Sequence, residues 1–382
     1  MEGAVSIAIE ARDGAARAGC LSTPHGEVQT PAFMPVGTRA AVKAMSPDEL
    51  WSLGYRLVLA NAYHLAVRPG PELVQEMGGV GRFMGFPGAV LTDSGGFQAM
   101  SLAKINSIDE NGIRFRSHLD GAPVALTPES AIELQERLGS DMMMALDECT
   151  PYPIDRERAR ASAEMTARWA ERSLRAHRSP TQALFGIVQG SIYSDLRAMS
   201  ARQITALGFD GFATGGLSVG EPKEAMLGMA ELVVSMLPEA KPRYLMGVGT
   251  PEDLLAAIAM GYDLFDCVLP TRNARNGGAF TSRGRIAIKR AIYARDARPL
   301  DPDCGCRGCA TLTRAYLRHL YLSGEILAAR ALTEHNLFFY ARLMSQARTA
   351  IASGAYREFQ RAMIDRISAA EGETGGAKSN VV

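Results

Sequence analysis

The 382-residue chain has no net charge, because forty-one basic residues balance forty-one acidic ones. Blanket attraction to nucleic acid is thereby excluded, and only a local patch is left to bind phosphate. No uncharged run approaches the length needed to cross a bilayer, and the opening MEGAVSIAIEARDG has no basic segment leading into a long apolar one. A cytoplasmic protein with no membrane partner is expected. Cysteine is scarce: Cys20, Cys149 and Cys267 stand far apart and Cys304, Cys306 and Cys309 cluster, which fits a reducing compartment and a metal better than a disulfide framework. No strand runs into a GxGxxG or GxxxxGK[ST] loop, and Gly215–Gly220 (GGLSVG) lacks both the spacing and the Lys. Dinucleotide and P-loop chemistry are not supported. Nor is there an internal repeat at solenoid periods.

What is present is a chain 47% hydrophobic, enough to bury one large core or two smaller ones. Residues 5–40 alternate apolar and polar positions, broken by Asp13-Gly14 and Pro24-His25-Gly26, and read as hairpins or a lid. From Lys43 onward three helices open alike, at Ser46-Pro47-Asp48-Glu49, Thr127-Pro128-Glu129-Ser130 and Thr250-Pro251-Glu252-Asp253. Each has a capping hydroxyl, a first-turn Pro and early acids. Between them lie short apolar runs ending in Gly or a polar residue: 56–61, 88–94, 141–148, 184–189, 211–216, 243–247 and 263–266. Buried parallel strands alternating with helices predict an α/β fold, a (β/α)8 TIM-type barrel, with an open doubly wound sheet as the alternative. The expected division is a barrel with N-terminal antiparallel strands over 1–290, a metal-binding subdomain over 291–350, a helix packing back on the barrel over 351–370 and a flexible tail over 371–382.

In a barrel the strand ends gather on one rim, which here would carry Asn61, Asp93, Ser94, Asp147, Glu148, Gln189, Gly216, Met246 and Asp266. Taken singly, each acid also reads as a cap or a core ion pair, and Asp266 as a cap or a partner of Arg272. Taken together, facing carboxylates without a redox cofactor suit chemistry at an anomeric carbon. Asp147 and Gln189 can hydrogen-bond a purine-like edge. After Asp93, the Ser94-Gly95-Gly96-Phe97 turn offers backbone amides for close approach to a ligand and an aromatic face for a planar base. Eight Lys or Arg residues between Val268 and Arg298, against the single acid Asp296, form a candidate phosphate-binding face. Cys149 and Cys267 read as small residues beside the acids rather than nucleophiles.

Cys304, Cys306 and Cys309 with His335 give C-x-C-x2-C-x25-H. Three thiolates and an imidazole complete a tetrahedral Zn2+ site with no position for water, hence a structural ion. His319 is the rival fourth ligand, in a helical context.

TDSGGFQ at 92–98, DECTPYP at 147–153, GIVQGS at 186–191, GGLSVGEP at 215–222, YLMGVGTPEDL at 244–254 and FDCVLPTRNARNG at 265–277 occur in this order, followed by the Cys/His site. On these motifs, from about residue 5 to about residue 365, the chain resembles the bacterial tRNA-guanine transglycosylases (queuine tRNA-ribosyltransferases). The resemblance implies a (β/α)8 barrel with an inserted zinc subdomain and one structural zinc per subunit. It implies exchange of the wobble guanine in GUN-anticodon tRNAs for Asp, Asn, His and Tyr against 7-aminomethyl-7-deazaguanine (preQ1), through a covalent ribosyl intermediate and with ping-pong kinetics. Carried over by motif, Asp266 would be the nucleophile and Asp93 the general acid/base, steadied by Asn61 and Ser94. Asp147, Gln189 and the Gly216 amide would read the base, Leu217 and Met246 would line its pocket, and Phe97 would sandwich it against Met246. Arg272 and Arg275 would hold tRNA, Cys149 and Val219 would shape a bacterial-type pocket, and two subunits would form a homodimer. Ala62, where Thr is expected, and Ser218, where Ala is expected, depart from the pattern.

Overall fold

The computed structural model describes residues 4–97 and 104–374. Its strands in chain order are β1 (Ser6–Asp13), β2 (Ala16–Thr23), β3 (Gly26–Thr30), β4 (Ala32–Met34), β5 (Val36–Gly37), β6 (Leu57–Ala60), β7 (Ala89–Thr92), β8 (Lys104–Asp109), β9 (Gly112–Arg116), β10 (Pro123–Leu126), β11 (Met142–Met144), β12 (Ala183–Val188), β13 (Gly211–Thr214), β14 (Arg243–Leu245), β15 (Leu264–Asp266), β16 (Gly278–Thr281) and β17 (Gly284–Ala287). Nine of these form one sheet in the order β4-β15-β14-β13-β12-β11-β7-β6-β5. β4 and β5 are a single stave interrupted at Pro35: β4 pairs in parallel with β15 and β5 with β6. Eight staves therefore close into a (β/α)8 barrel, which decides against the open sheet.

Seven of the staves are the short apolar runs expected from sequence. The eighth, β4–β5, lies in the region read as hairpins. Pro31 and Pro35 flank and split it, and proline removes ladder donors, so the run PAFMPVG does not look like a strand.

Period-two alternation sorts each stave into two environments. Met34, Leu57, Leu59, Leu91, Met142, Met144, Phe185, Ile187, Ala213, Tyr244 and Leu264 fill the lumen as one cluster. Their neighbours Phe33, Val58, Val90, Leu245 and Phe265 face the surrounding helices, as do Met143, Leu184 and Phe212. The helix openings behave as their sequences require. Ser46 and Thr127 each make a capping box, and the Thr250 hydroxyl accepts from the Asp253 amide.

The antiparallel β1–β2–β3 sheet plugs the amino-terminal mouth of the barrel. Val5, Leu21 and Val28 join the luminal cluster, so the lid covers the end opposite the strand-end carboxylates. It is pinned by a fully buried ion pair in which Arg17 donates to both carboxylate oxygens of Asp263 at 2.8 and 2.5 Å. A second antiparallel sheet, β10–β9–β8, not expected from sequence, is inserted between β7 and the Pro128–Leu138 helix. After β15 come the short Leu269–Arg275 helix, the β16–β17 hairpin and the helices Arg307–Thr311, Arg314–Leu322 and Ile326–Ala352. The last helix, Tyr356–Thr374, returns to the barrel, its Tyr356 hydroxyl donating to the Leu255 carbonyl at 2.7 Å. It runs past the expected start of the tail at Glu371; residues 375–382 and Gln98 of the TDSGGFQ motif lie outside the described residues. Among the described residues no helix is long and apolar enough to cross a membrane.

Arg17→Met strands the Asp263 carboxylate without its guanidinium. Removing one partner of a buried pair costs about 3–5 kcal/mol, so the urea midpoint of the variant is expected to fall clearly. An unchanged midpoint would show that the pair does not hold the plug.

Candidate active site at the carboxyl-terminal rim

The luminal parity of each stave continues one residue past its end and decides which polar side chains enter the mouth. Asn61 follows β6, Asp93 follows β7, Gln189 follows β12 and Met246 follows β14, while Asp266 ends β15. All are two residues beyond a luminal position such as Leu59, Leu91, Ile187, Tyr244 or Leu264.

Asp93 is buried and held by two donors: the Asn61 side-chain amide on Oδ2 and the Ala62 backbone N–H on Oδ1 at 2.9 Å. Because the backbone makes the second bond, the Ala62 side chain, which packs in the helix-side core, does not alter it. Ser94 Oγ accepts from the Gly96 amide at 3.2 Å. That amide is consumed within the turn. A Cβ on Gly96 would come within 3.0 Å of the Asp147 carbonyl, and one on Gly95 within 3.2 Å of Tyr63. The two glycines thus let the turn lie against protein. Phe97 is 52% exposed and keeps a face free.

Asp266 receives both of its described hydrogen bonds on Oδ1, from the Tyr244 hydroxyl at 2.6 Å and the Gly247 N–H at 2.8 Å. The other oxygen is left for a reactant. Burial raises its pKa above the ordinary carboxylate value, against those two hydrogen bonds. The cap reading fails, since Val268 is the N-cap of the helix that follows. Tyr244 was not foreseen, although its position two residues before Met246 places it in the lumen. Burial drives its phenol pKa well up, and the charges of Asp266 and Asp93 add to the effect. One phenol thus feels both acids.

Asp147 accepts from the Gln189 side-chain amide at 2.6 Å. Its pKa is pushed up to about 6, first by burial and further by the negative charges of Asp93 and Glu148. Glu148 itself is paired with Arg158, and its amide donates to Thr166, so of the rim acids it follows the ion-pair reading. Gly216 has φ +62°, and a Cβ there would overlap Gln189 Oε1 at 2.1 Å. Only glycine fits against the amide. Met246 Sδ lies beside Gly215. Leu217 turns its side chain into the core with Met226 and Ala230, so what it presents at the rim is backbone. Ser218 and Val219 donate their amides to the Glu221 carboxylate at 2.5 and 2.9 Å. Burial raises the Cys149 and Cys267 thiols to about 12, so neither is a thiolate nucleophile at neutral pH.

Arg272 and Arg275 leave the rim on the Leu269–Arg275 helix; Arg272 is exposed, and Arg275 donates to the Thr271 carbonyl at 2.9 Å. Part of the wider basic run is committed elsewhere. Arg298 and Arg314 share Asp296, Arg283 pairs with Asp303, and Arg285 lies over the Phe280 ring.

Cys304, Cys306, Cys309 and His335 converge, with their ligand atoms all within 4.8 Å of one another. The three sulfurs lie 3.6, 3.5 and 3.3 Å from His335 Nδ1. A tetrahedral ion with bonds of about 2.3 Å to sulfur and about 2.0 Å to nitrogen requires roughly 3.5 Å between those atoms. The donor set fits a closed metal site, and His335 rather than His319 is the fourth member. His335 Nε2 bonds the Phe280 carbonyl at 2.7 Å, which fixes the ring and leaves Nδ1 for the metal. The adjacent Asn336 bonds the Phe280 amide and the Pro270 and Gly278 carbonyls. The cluster is thereby tied to the helix that carries Arg272 and Arg275.

Fold and site together define a (β/α)8-barrel protein with carboxylates gathered at the carboxyl-terminal mouth and a Cys/His cluster able to hold a metal beside it. The chain belongs to the queuine tRNA-ribosyltransferase family, whose model matches residues 13–369. It is 53% identical to the queuine tRNA-ribosyltransferase of Symbiobacterium thermophilum over 360 residues, 94% of this chain and 90% of that protein. The corresponding proteins of Pelotomaculum thermopropionicum and Syntrophobacter fumaroxidans are 53% and 54% identical, each over 94% of this chain and 97% of the relative.

Two outcomes follow from these geometries. Since burial holds the Asp147 pKa near 6 in the fold, above an unfolded value of about 3.9, its contribution to stability is complete below about pH 4 and is lost as pH rises through about 6. Between pH 5 and pH 8 the ligand-free enzyme should lose about 1.4 kcal/mol that Asp147→Asn does not lose, read from denaturation midpoints; parallel profiles would contradict this. Cys309→Ser should lose most of its bound transition metal by elemental analysis, and full retention would remove Cys309 from the ligand set.

Proposed function

We propose that this enzyme exchanges the wobble guanine of GUN-anticodon tRNAs for 7-aminomethyl-7-deazaguanine by double displacement. The observation that carries this reading is the pairing of two differently held aspartates at one mouth. Asp266 is anchored through Oδ1 alone, and Asp93 is fixed through both oxygens by Asn61 and the Ala62 amide. In the first half, the free oxygen of Asp266 attacks ribose C1′ as the C1′–N9 bond breaks. The bonding pair goes to guanine, which leaves neutral on taking a proton from Asp93. In the second half, Asp93 takes the N9 proton of the incoming base, N9 attacks C1′, and the Asp266 carboxylate departs. Two inversions give net retention and ping-pong kinetics.

Asp147 in its ionised form accepts from the N1–H and 2-amino edge, Gln189 and the Gly216 amide complete the edge contacts, and Phe97 and Met246 take the faces of the ring. Cys149 and Val219 bound the end where a bulkier base would extend. Arg272 and Arg275 meet the phosphates beside the exchanged nucleotide. Zinc is the ion we assign to the Cys/His cluster, in a structural capacity that fixes the arginine-bearing helix through His335 and Asn336. The surface of the metal subdomain, with Tyr316, Leu322 and Leu327 exposed and Ile326 81% accessible, supports assembly as a homodimer.

Asp266→Ala is expected to reduce incorporation of labelled guanine into a GUN tRNA by roughly 1,000-fold or more while metal content stays normal. Incorporation at the unmodified rate would remove Asp266 as nucleophile.

A further inference from the structure

Arg197 is fully buried in the first turns of the Ser194–Thr205 helix. A cation there opposes the helix dipole, and burial lowers its pKa to about 10, leaving it charged at neutral pH. All four hydrogen bonds described for its guanidinium end on main-chain carbonyls. Nε donates to Ser191 at 2.8 Å, Nη1 to Val188 at 3.0 Å and to Gly215 at 2.7 Å, and Nη2 to Gly216 at 3.1 Å. These carbonyls flank Gln189 on one stave and form the Gly215–Gly216 turn on the next. Close approach is made possible by Gly190, at φ +136°, where a Cβ would lie 2.7 Å from the Arg197 amide.

The consequence follows from peptide geometry. In a planar trans peptide the C=O and the following N–H point in opposite directions. Tying the Gly215 carbonyl to Arg197 therefore turns the Gly216 N–H away from the guanidinium, and tying the Gly216 carbonyl does the same for the Leu217 N–H. The Gly216 N–H lies toward the Cys149 thiol, beside Gln189, whose amide is bonded to Asp147.

We propose that Arg197 is a positioning residue that makes the base pocket selective for a 6-oxo purine, by holding the Gly215 and Gly216 carbonyls so that the turn offers N–H donors to the oxygen at position 6. This inference rests on the base-exchange reading. Without the guanidinium the two peptides are free to rotate, and the pocket loses its fixed donor while keeping the Asp147 carboxylate.

The test compares guanine with 6-thioguanine, which keeps the N1–H and 2-amino groups but carries a poor acceptor at position 6, by direct binding to the wild type, Arg197→Met and Arg197→Lys. Guanine binding to Arg197→Met should weaken about tenfold, the loss of one good hydrogen bond, and 6-thioguanine binding should weaken by no more than about twofold, so the preference for guanine collapses. Arg197→Lys, which keeps the charge but not the fork, should fall between. Equal weakening of both bases, or an unchanged preference in the Lys variant should the Met variant not fold, would overturn the proposal. A wild type that incorporates no labelled guanine into a GUN tRNA would instead sink the base-exchange reading, and this inference with it.

Discussion

Closure of the barrel through the proline-split stave is the constraint on which the site depends. β7 and β15, which deliver Asp93 and Asp266, stand five staves apart along the sheet. Laid open at about 4.8 Å per strand, they would be roughly 24 Å apart. Because β4 pairs with β15 and β5 with β6, the sheet returns on itself and both acids face one mouth. The plug of β1–β3, locked by Arg17 and Asp263, fills the other mouth with apolar side chains and leaves the carboxyl-terminal rim as the polar end.

Electrostatics at that rim are set by burial and by a few oriented donors. Burial raises the cost of ionising Asp147 and Asp266, and the charge of Asp93 adds to it at Asp147; the carboxylates are held differently, Asp93 by an amide pair, Asp147 by Gln189, Asp266 by a phenol and a backbone N–H. These differences suit similar carboxyl groups to the separate tasks proposed for them, one attacking carbon, one moving a proton and one reading an edge. The metal cluster enters this arrangement mechanically. Its imidazole and the neighbouring Asn336 grip the segment that follows Asp266, so the subdomain's order is passed to the arginines beside that carboxylate.

Much of this was legible in the sequence because strand ends and helix starts carry local chemical signatures. Apolar runs that stop at Asp93, Asp147, Gln189 and Asp266 announce where staves meet solvent, and Ser46, Thr127 and Thr250 announce helices by their caps. The Cys/His spacing announced the cluster, and only the choice of His335 over His319 needed the fold. The rest depends on contacts between distant residues. Pro31 and Pro35 disguise the closing stave, and the packing of Gly95 and Gly96 against Tyr63 and the Asp147 backbone has no local signature. Tyr244 reads as one more apolar residue until its hydroxyl meets Asp266 across two staves. Glu148 looks like its neighbour Asp147, and only the fold shows that Arg158 neutralises it.

The central claim is that Asp266 forms a bond to ribose while Asp93 manages the proton. It is tested most directly by denaturing electrophoresis of the enzyme incubated with a GUN tRNA and a base analogue that cannot complete exchange. A protein band shifted by the mass of the tRNA in the wild type, and lost in Asp266→Asn, is the expected result. A shift that persists without the Asp266 carboxylate would contradict it.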